Sequence, residues 1–458
     1  MEEFLFKKVK FEVWAILAGA IGLLIAMVMF GFVAQKRAIS PASNYAGPVG
    51  RFVENLVAFP GLVGRVFSQQ TDRHVASVLS HDLEAGFTIV NGADTPNYIL
   101  ISRYDGNQKR SGIDLVDEAT KEIVHSQWFS DVKAFEYDVR YPGFQDQVTA
   151  DPSTMRLIHP LLTEDGGTVL HFTNSPLYRL DACGNEVWRN TSFAFHHSLE
   201  QDHAGNFWVP GTGLDPLNTD GFDPKMTTFE NFRNDHLVQV SPDGETLFAK
   251  SVLDMLAENG LYNRVYNYIS YKPDPIHLND VQPVLDDGAY WKRGDVFLSI
   301  GHLNMVVLYR PSEDRLIWWS QERTMYQHDV DIIDSQRISI FDNRRTYGAA
   351  GMYTLSHNEL LIYDFETDTL SPVFGDQFDA LAIETISQGL VHWGPDASVM
   401  IEETNSGRLV KLNPGGDVAW QYANRADNGT PYTLNWSRYV PRGDGDKIVA
   451  SLAGAVCE

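Results

Sequence analysis

From Val13 to Ala34 the chain carries no charged residue, a run of about 22 positions that is long enough to cross a bilayer as a helix. Pro41, Gly47, Pro48, Gly50 and Pro60 then give the composition of a linker, with Arg51 to Ala58 as a short helix within it. Farther on, the pattern changes to short alternating runs. A strand, a polar turn, a second strand, an Asp or Pro-Asp-Gly turn and a strand bearing Trp or another aromatic recur along the chain. The runs Val330 to Ile333 and Arg337 to Phe341 are two such strands. Helix is scarce, and Val252 to Asn259 is the clearest short one.

The segments Thr168 to Trp188 and Ser398 to Trp420 match in layout almost position for position. Less regular copies run from Tyr98 to Trp128, Asn206 to Phe248, Asp295 to Trp319 and Arg337 to Phe374. Their spacing, roughly 40 to 60 residues, is that of propeller blades with loop insertions and is longer and less uniform than most solenoid repeats. The expected fold is all-β, a six-bladed β-propeller preceded by a single N-terminal transmembrane helix. Lys447 to Ala455, or a strand within Val75 to Val90, would complete the closing blade. The expected division is a cytoplasmic tail (1–12), the transmembrane helix (13–34), a linker (35–73) and the propeller (74–458). Lys7, Lys8 and Lys10 before the apolar run favour an inner-membrane, single-pass protein with its propeller in the periplasm or outside the cell. A cleaved signal peptide is the alternative, although the run is long for one and no clean small-x-small site follows.

Charge removes one class of function. With 36 Lys+Arg against 60 Asp+Glu the formal net charge is -24, which repels a nucleic-acid backbone and obliges any anionic ligand to meet a local cluster of Arg or His. Two cysteines, Cys183 and Cys457, exclude a disulfide scaffold and a cysteine-built zinc site; one disulfide is possible.

Histidines recur where repeats begin: His196 and His197, His277, His302 and His328, each with small polar or acidic neighbours. In a propeller, equivalent strand ends converge on the central channel, so residues distant in sequence can share one pocket. A single such histidine is usually a structural hydrogen bonder, but four at comparable positions point to a site. No His-x-His or His-Glu-x-x-His spacing marks a metal centre, and no Gly-Lys-Ser/Thr loop marks a nucleotide phosphate site. Asp342 and Asn343 have a turn-capping role available, and Trp208, Trp291, Trp318, Trp319 and Trp393 suit blade cores.

The ordered set His277-Leu278-Asn279, Gly294 to Ser299, His302-Leu303-Asn304, Gln327-His328-Asp329 and Ile340 to Asn343 resembles the arylsulfate sulfotransferases and their arylsulfotransferase-like relatives. With Phe195 to Val209 and Ser387 to Gln421, the resemblance covers about residues 150 to 425. It implies a six-bladed propeller that moves a sulfuryl group from an aryl sulfate to a phenolic acceptor through a sulfohistidine, without a nucleotide cofactor or a metal. On this resemblance His328 is the nucleophile, with His277 and His197 as the other catalytic histidines and His196, His302 and Asn279 among the substrate-binding residues. The family's arginine is expected immediately before the His302 position, where this chain has Gly301. Arg344 or Arg345, or His302 as an imidazolium, is the expected substitute. If none serves, the propeller is a non-catalytic scaffold that binds a ligand or partner protein.

Overall fold

In the computed structural model, residues 12–39, 74–76, 81–90, 96–129, 155–213, 233–266, 274–321, 323–348 and 351–457 are described. The helix expected at Arg51 to Ala58 lies outside them. Contacts divide the chain into two units, Met1–Arg73 and His74–Glu458. In the first, the described element is the helix Val13–Ile39, whose portion Val13–Val33 is long and apolar enough to cross a membrane. It outruns the uncharged stretch because Gln35, Lys36 and Arg37 are good helix formers and continue it.

The second unit is an all-β, propeller-like arrangement of antiparallel sheets. Three have four strands: Leu278–Pro283, Val296–Ile300, Met305–Arg310 and Arg315–Gln321; Asp329–Ile332, Arg337–Asp342, Glu359–Asp364 and Thr369–Val373; and Arg438–Val440, Tyr98–Asp105, Arg110–Asp117 and Ile123–Phe129. A fifth strand, Gly86–Ile89, joins the sheet Leu390–Trp393, Val399–Glu403, Arg408–Leu412 and Val418–Ala423. Four separate sheets of four or five strands therefore stand where six separate blades were expected. The strands from Leu157–Leu162 to Thr246–Ser251 form one continuous eight-stranded sheet instead. The cause is the long strand Glu186–Phe195, whose last residues Ala194 and Phe195 pair with Thr212 and Gly211 of the strand Phe207–Thr212.

Adjacent residues on a strand face opposite sides of the sheet, and the core follows that rule. Leu298 and Val307 pack on Leu237 and Leu256 on one side, while Phe297 and Leu308 pack on Val330, Ile340 and Leu361 on the other. The same continuity carries Phe341 onto Val399 and Val410, and Met400 and Trp420 onto Ile99 and Ile101. Apolar layers between successive sheets supply most of the cohesion, at about 25 cal/mol per Å² of apolar surface buried.

Both ends of the chain close the assembly. Gly86–Ile89, within the segment foreseen for this, pairs with Val418–Ala423, and Arg438–Val440 pairs with Tyr98–Leu100. The other candidate, Lys447 to Ala455, is corrected: it falls in the helix Arg442–Gly454 and its end, where Ile448 and Leu452 present an i,i+4 apolar stripe to the cluster of Leu162 and Tyr178. Beyond that helix Cys457 bonds Cys183, with Cα atoms 5.4 Å apart across a separation of 274 residues. Closing so long a loop is worth about 5 kcal/mol in a chain-entropy account.

Candidate active site

Six of the non-glycine residues with a left-handed backbone stand in or just ahead of a strand that starts a sheet or, for His197, ahead of Glu200–Gln201 within the eight-stranded sheet: His159 (φ 48), His197 (φ 59), His277 (φ 54), Tyr326 (φ 67), Gln388 (φ 61) and Trp436 (φ 67). Each costs about 1–2 kcal/mol relative to an ordinary conformation. In return, side chains from different sheets gather. Ring centroids run 5.4 Å from His159 to Trp436, 6.1 Å from Trp436 to His197, 5.1 Å from His197 to His277, 5.8 Å from His277 to Tyr326 and 5.1 Å from Tyr326 to His328.

His328 is 1% exposed. Its Nδ1 lies 2.6 Å from Asn343 Oδ1, and the Asn343 amide nitrogen donates to the carbonyls of Thr385 and Gln388 at 2.9 and 2.7 Å, which fixes which amide atom faces the ring. Nδ1 therefore carries the proton, and the Nε2 lone pair accepts the Gln388 N–H at 2.9 Å. Burial holds this imidazole well below its usual pKa, with His277 and Arg345 acting the same way and the Asn343 bond opposing them. The ring is a neutral base. Asn343 is thus more than a turn cap, whereas Asp342 does cap: it accepts the N–H groups of Met325 and Arg344.

His277 Nδ1 lies 2.6 Å from Asp274 Oδ2. Burial disfavours charge on Asp274, yet His277 outweighs it and the carboxyl sits below its usual range. A carboxylate accepts only, so Nδ1–H donates and Nε2 is left open. His197 Nδ1 is 2.7 Å from His196 Nδ1, and His196 Nε2 is 3.3 Å from Asp235 Oδ1. One set of protons satisfies this chain: His197 donates to His196, His196 Nε2–H faces the Asp235 carboxylate, and His197 Nε2 stays open. Burial, then His196 and His277, holds His197 well below its usual pKa. Asp235 is held low by His196 against the opposing effect of burial. One ring nitrogen each from His197, His277 and His328 lies within 4.8 Å of the other two. Each of the three Nδ1 atoms has its own side-chain partner.

The remaining expected site residues divide. His302 stacks on His277 at 4.4 Å, donates Nδ1–H to the Asp274 carbonyl at 2.6 Å and meets the Tyr326 hydroxyl through Nε2 at 3.3 Å. Arg345 lies over the Tyr326 ring, next to the cluster, whereas Arg344 is turned to Glu359 at 3.0 Å. Asn279 is fully buried and donates to the Gln327 carbonyl at 2.9 Å. It also fills the space beside Gly301: a Cβ there would lie 2.3 Å from Asn279 Nδ2. The arginine position is closed by a neighbour's amide. Asp274, Asp235, Tyr326 and the orienting role of Asn343 were not read from the sequence; Pro273-Asp274-Pro275, three residues before His277, was the available hint. Two surface cavities, of about 430 and 350 Å³, include Pro283 at the far end of the strand after His277, and neither is lined by these histidines.

The fold and site define an all-β, propeller-like protein with imidazoles from three positions ahead of strands gathered in one cluster. The model of the family Arylsulfotransferase (ASST) matches residues 159–425, and the chain belongs to that family. No curated protein matches it. Among solved structures, a protein of unknown function from Bacteroides caccae aligns over 76% of this chain and 99% of its own, at 12% identity and a TM-score of 0.45. A chain of a nidogen/laminin complex aligns over 74% and 98%, at 8% identity and 0.39, and virginiamycin B lyase from Staphylococcus aureus over 62% and 84%, at 10% and 0.34.

Proposed function

We propose that the chain is a membrane-anchored arylsulfotransferase that passes a sulfuryl group from an aryl sulfate to a phenolic acceptor by way of a sulfohistidine on His328. The observation that carries this reading is the fixed tautomer of His328, which leaves Nε2 unprotonated in a ring that has one nitrogen within 4.8 Å of one each from His197 and His277. In the first half-reaction Nε2 bonds to sulfur as the S–O bond to the aryl group breaks, and the phenolate leaves with the electron pair. The phenolate takes its proton from solvent, and His277, its Nδ1–H held by Asp274, is the base whose open Nε2 takes the proton of the incoming phenol and returns it to solvent. That phenol's oxygen attacks sulfur, the N–S bond breaks, and His328 returns to its neutral form. The Gln388 N–H yields Nε2 during the attack and turns to a sulfuryl oxygen.

Arg345 is the cation in place of the arginine that Gly301 excludes, since Arg344 is committed to Glu359. Asn279 serves by holding Gln327, the residue before the nucleophile. The eight-stranded sheet reads as two blades joined at the pairing of Phe195 with Gly211, which makes six, a count supported by the six left-handed positions. The anchor is the helix within residues 13–39, followed by a linker to about residue 73 and the propeller from 74 onward, facing the periplasm or the outside. A bonded Cys183–Cys457 pair supports an oxidising compartment.

The test is turnover of a chromogenic aryl sulfate with added phenol by the full chain in detergent, beside His328→Ala. The parent releases phenol and makes the sulfated acceptor, and the variant loses at least roughly 10³-fold, as expected of a missing nucleophile. A folded parent that yields neither product across several donors sinks the reading.

A further inference from the structure

We infer that His197, His277 and His328 form a binding site for a divalent transition-metal ion of the Zn²⁺ class, their rings oriented for it by His196, Asp274 and Asn343. One ring nitrogen of each lies within 4.8 Å of the other two, a spacing that a single ion can bridge. The partners behind them have the form of a metal site's supporting groups: a carboxylate on His277 Nδ1 at 2.6 Å, an amide oxygen on His328 Nδ1 at 2.6 Å, and a second imidazole on His197 Nδ1 at 2.7 Å. Such partners fix the tautomer and raise ligand basicity. An all-imidazole set favours zinc, copper or nickel over magnesium or calcium, which want oxygen. The chain's formal charge of -24 favours the approach of a cation.

The nitrogens lie within 4.8 Å of one another. Tetrahedral zinc, with bonds of about 2.0–2.1 Å, sets them about 3.4 Å apart, so the rings close by about 1 Å on binding. His197 and His277 are only partly buried, so the site can be reached from one side. His328 joins only by exchanging its hydrogen bond from the Gln388 N–H, which makes it the weakest of the three ligands. Asp274 Oδ1 is buried without a hydrogen bond, leaving negative charge next to the bound ion. The fourth position stays open to water or an anion. This inference does not depend on the transferase reading. If both hold, zinc takes the lone pair that sulfur needs and the two compete.

The experiment titrates Zn²⁺ by calorimetry and Co²⁺ by visible absorption into the chelator-stripped full chain in detergent. One ion per chain is expected, with the intense Co²⁺ bands of a near-tetrahedral site. His197→Ala and His277→Ala should weaken it at least 100-fold, and His328→Ala less. Asp274→Asn, which keeps the ring contact, should cost roughly 10- to 100-fold in affinity. Melting curves confirm that each variant is folded. Absence of a stoichiometric ion, or an ion retained by folded His197→Ala and His277→Ala, overturns the site. Sulfuryl turnover is assayed separately. Turnover by the stripped chain that bound zinc abolishes supports both readings. Turnover that bound zinc leaves unchanged overturns the shared position. Zinc bound by the wild-type set, with no turnover by the stripped chain, upholds the metal site and ends the transferase proposal.

Discussion

His277 and Asp280 stand three residues apart at the start of one strand, and His328 and Asp329 are neighbours at the start of the next, yet the members of each pair are held in opposite ways. The imidazoles are tied to side chains at Nδ1, with Nε2 of His277 open and that of His328 accepting a single backbone N–H, from Gln388. The carboxylates are spent on the backbone: Asp280 accepts the N–H of Val281 at 2.8 Å and, across to the next sheet, that of Val330 at 3.0 Å, while Asp329 accepts that of Val391 at 3.0 Å. Glu402 does the same for Trp436 and Ser437, at 2.8 and 2.6 Å. These bonds satisfy N–H groups at strand starts and tie successive sheets together. Burial does not separate the two sets. What separates them is whether an atom capable of chemistry is left without a structural task.

Removing a support on one side should change activity and leave stability nearly intact, and the reverse should hold on the other. The largest effect expected is on the imidazole side. Asn343→Ala frees the His328 ring to change tautomer, and sulfuryl turnover should fall by roughly 100-fold, the upper range for a lost orienting partner. Steady-state kinetics should place that loss in kcat rather than KM. Unchanged kcat would move Asn343 to the structural side. Next is Gly301→Ala, whose Cβ meets the Asn279 amide at 2.3 Å and the His277 carbonyl at 3.4 Å. It should cost about 2 kcal/mol in denaturant unfolding, as overpacking does. The smallest is Asp280→Asn. Burial, and then the charge of Glu200, pushes the Asp280 carboxyl up to about 7. The folded state therefore holds this proton longer than the unfolded chain, and its contribution is lost as pH rises from about 4 through 7. Asparagine never ionises, so the variant should gain about 1 kcal/mol on the parent between pH 6 and pH 7. Melting temperatures at those two pH values check it, and an equal difference at both would remove the titration from the account.

The strands were legible because they repeat: Thr168 to Trp188 and Ser398 to Trp420 fold as the matched triplets their layout implies. The apolar helix was legible from length alone. The merger of two strand sets into one sheet was not, since it rests on the last two residues of a ten-residue strand. His197, His277 and His328 could be singled out by their places ahead of strands. Their supports could not, because Asp274, Asp235 and Asn343 act across loops or between sheets, where no periodicity reports on distance. Arg344 and Arg345 are adjacent in sequence and opposite in fate, one bound to Glu359 and the other laid over Tyr326. Composition could not have divided them.

The packing of Asn279 against Gly301 also couples the two positions. An arginine at 301 is no simple addition, because its first carbon would lie 2.3 Å from an amide that is itself holding Gln327 beside His328. Removing Asn279 first releases that grip before any guanidinium arrives. Either order passes through a strained or a loosened core, so the two positions can be exchanged without cost only together.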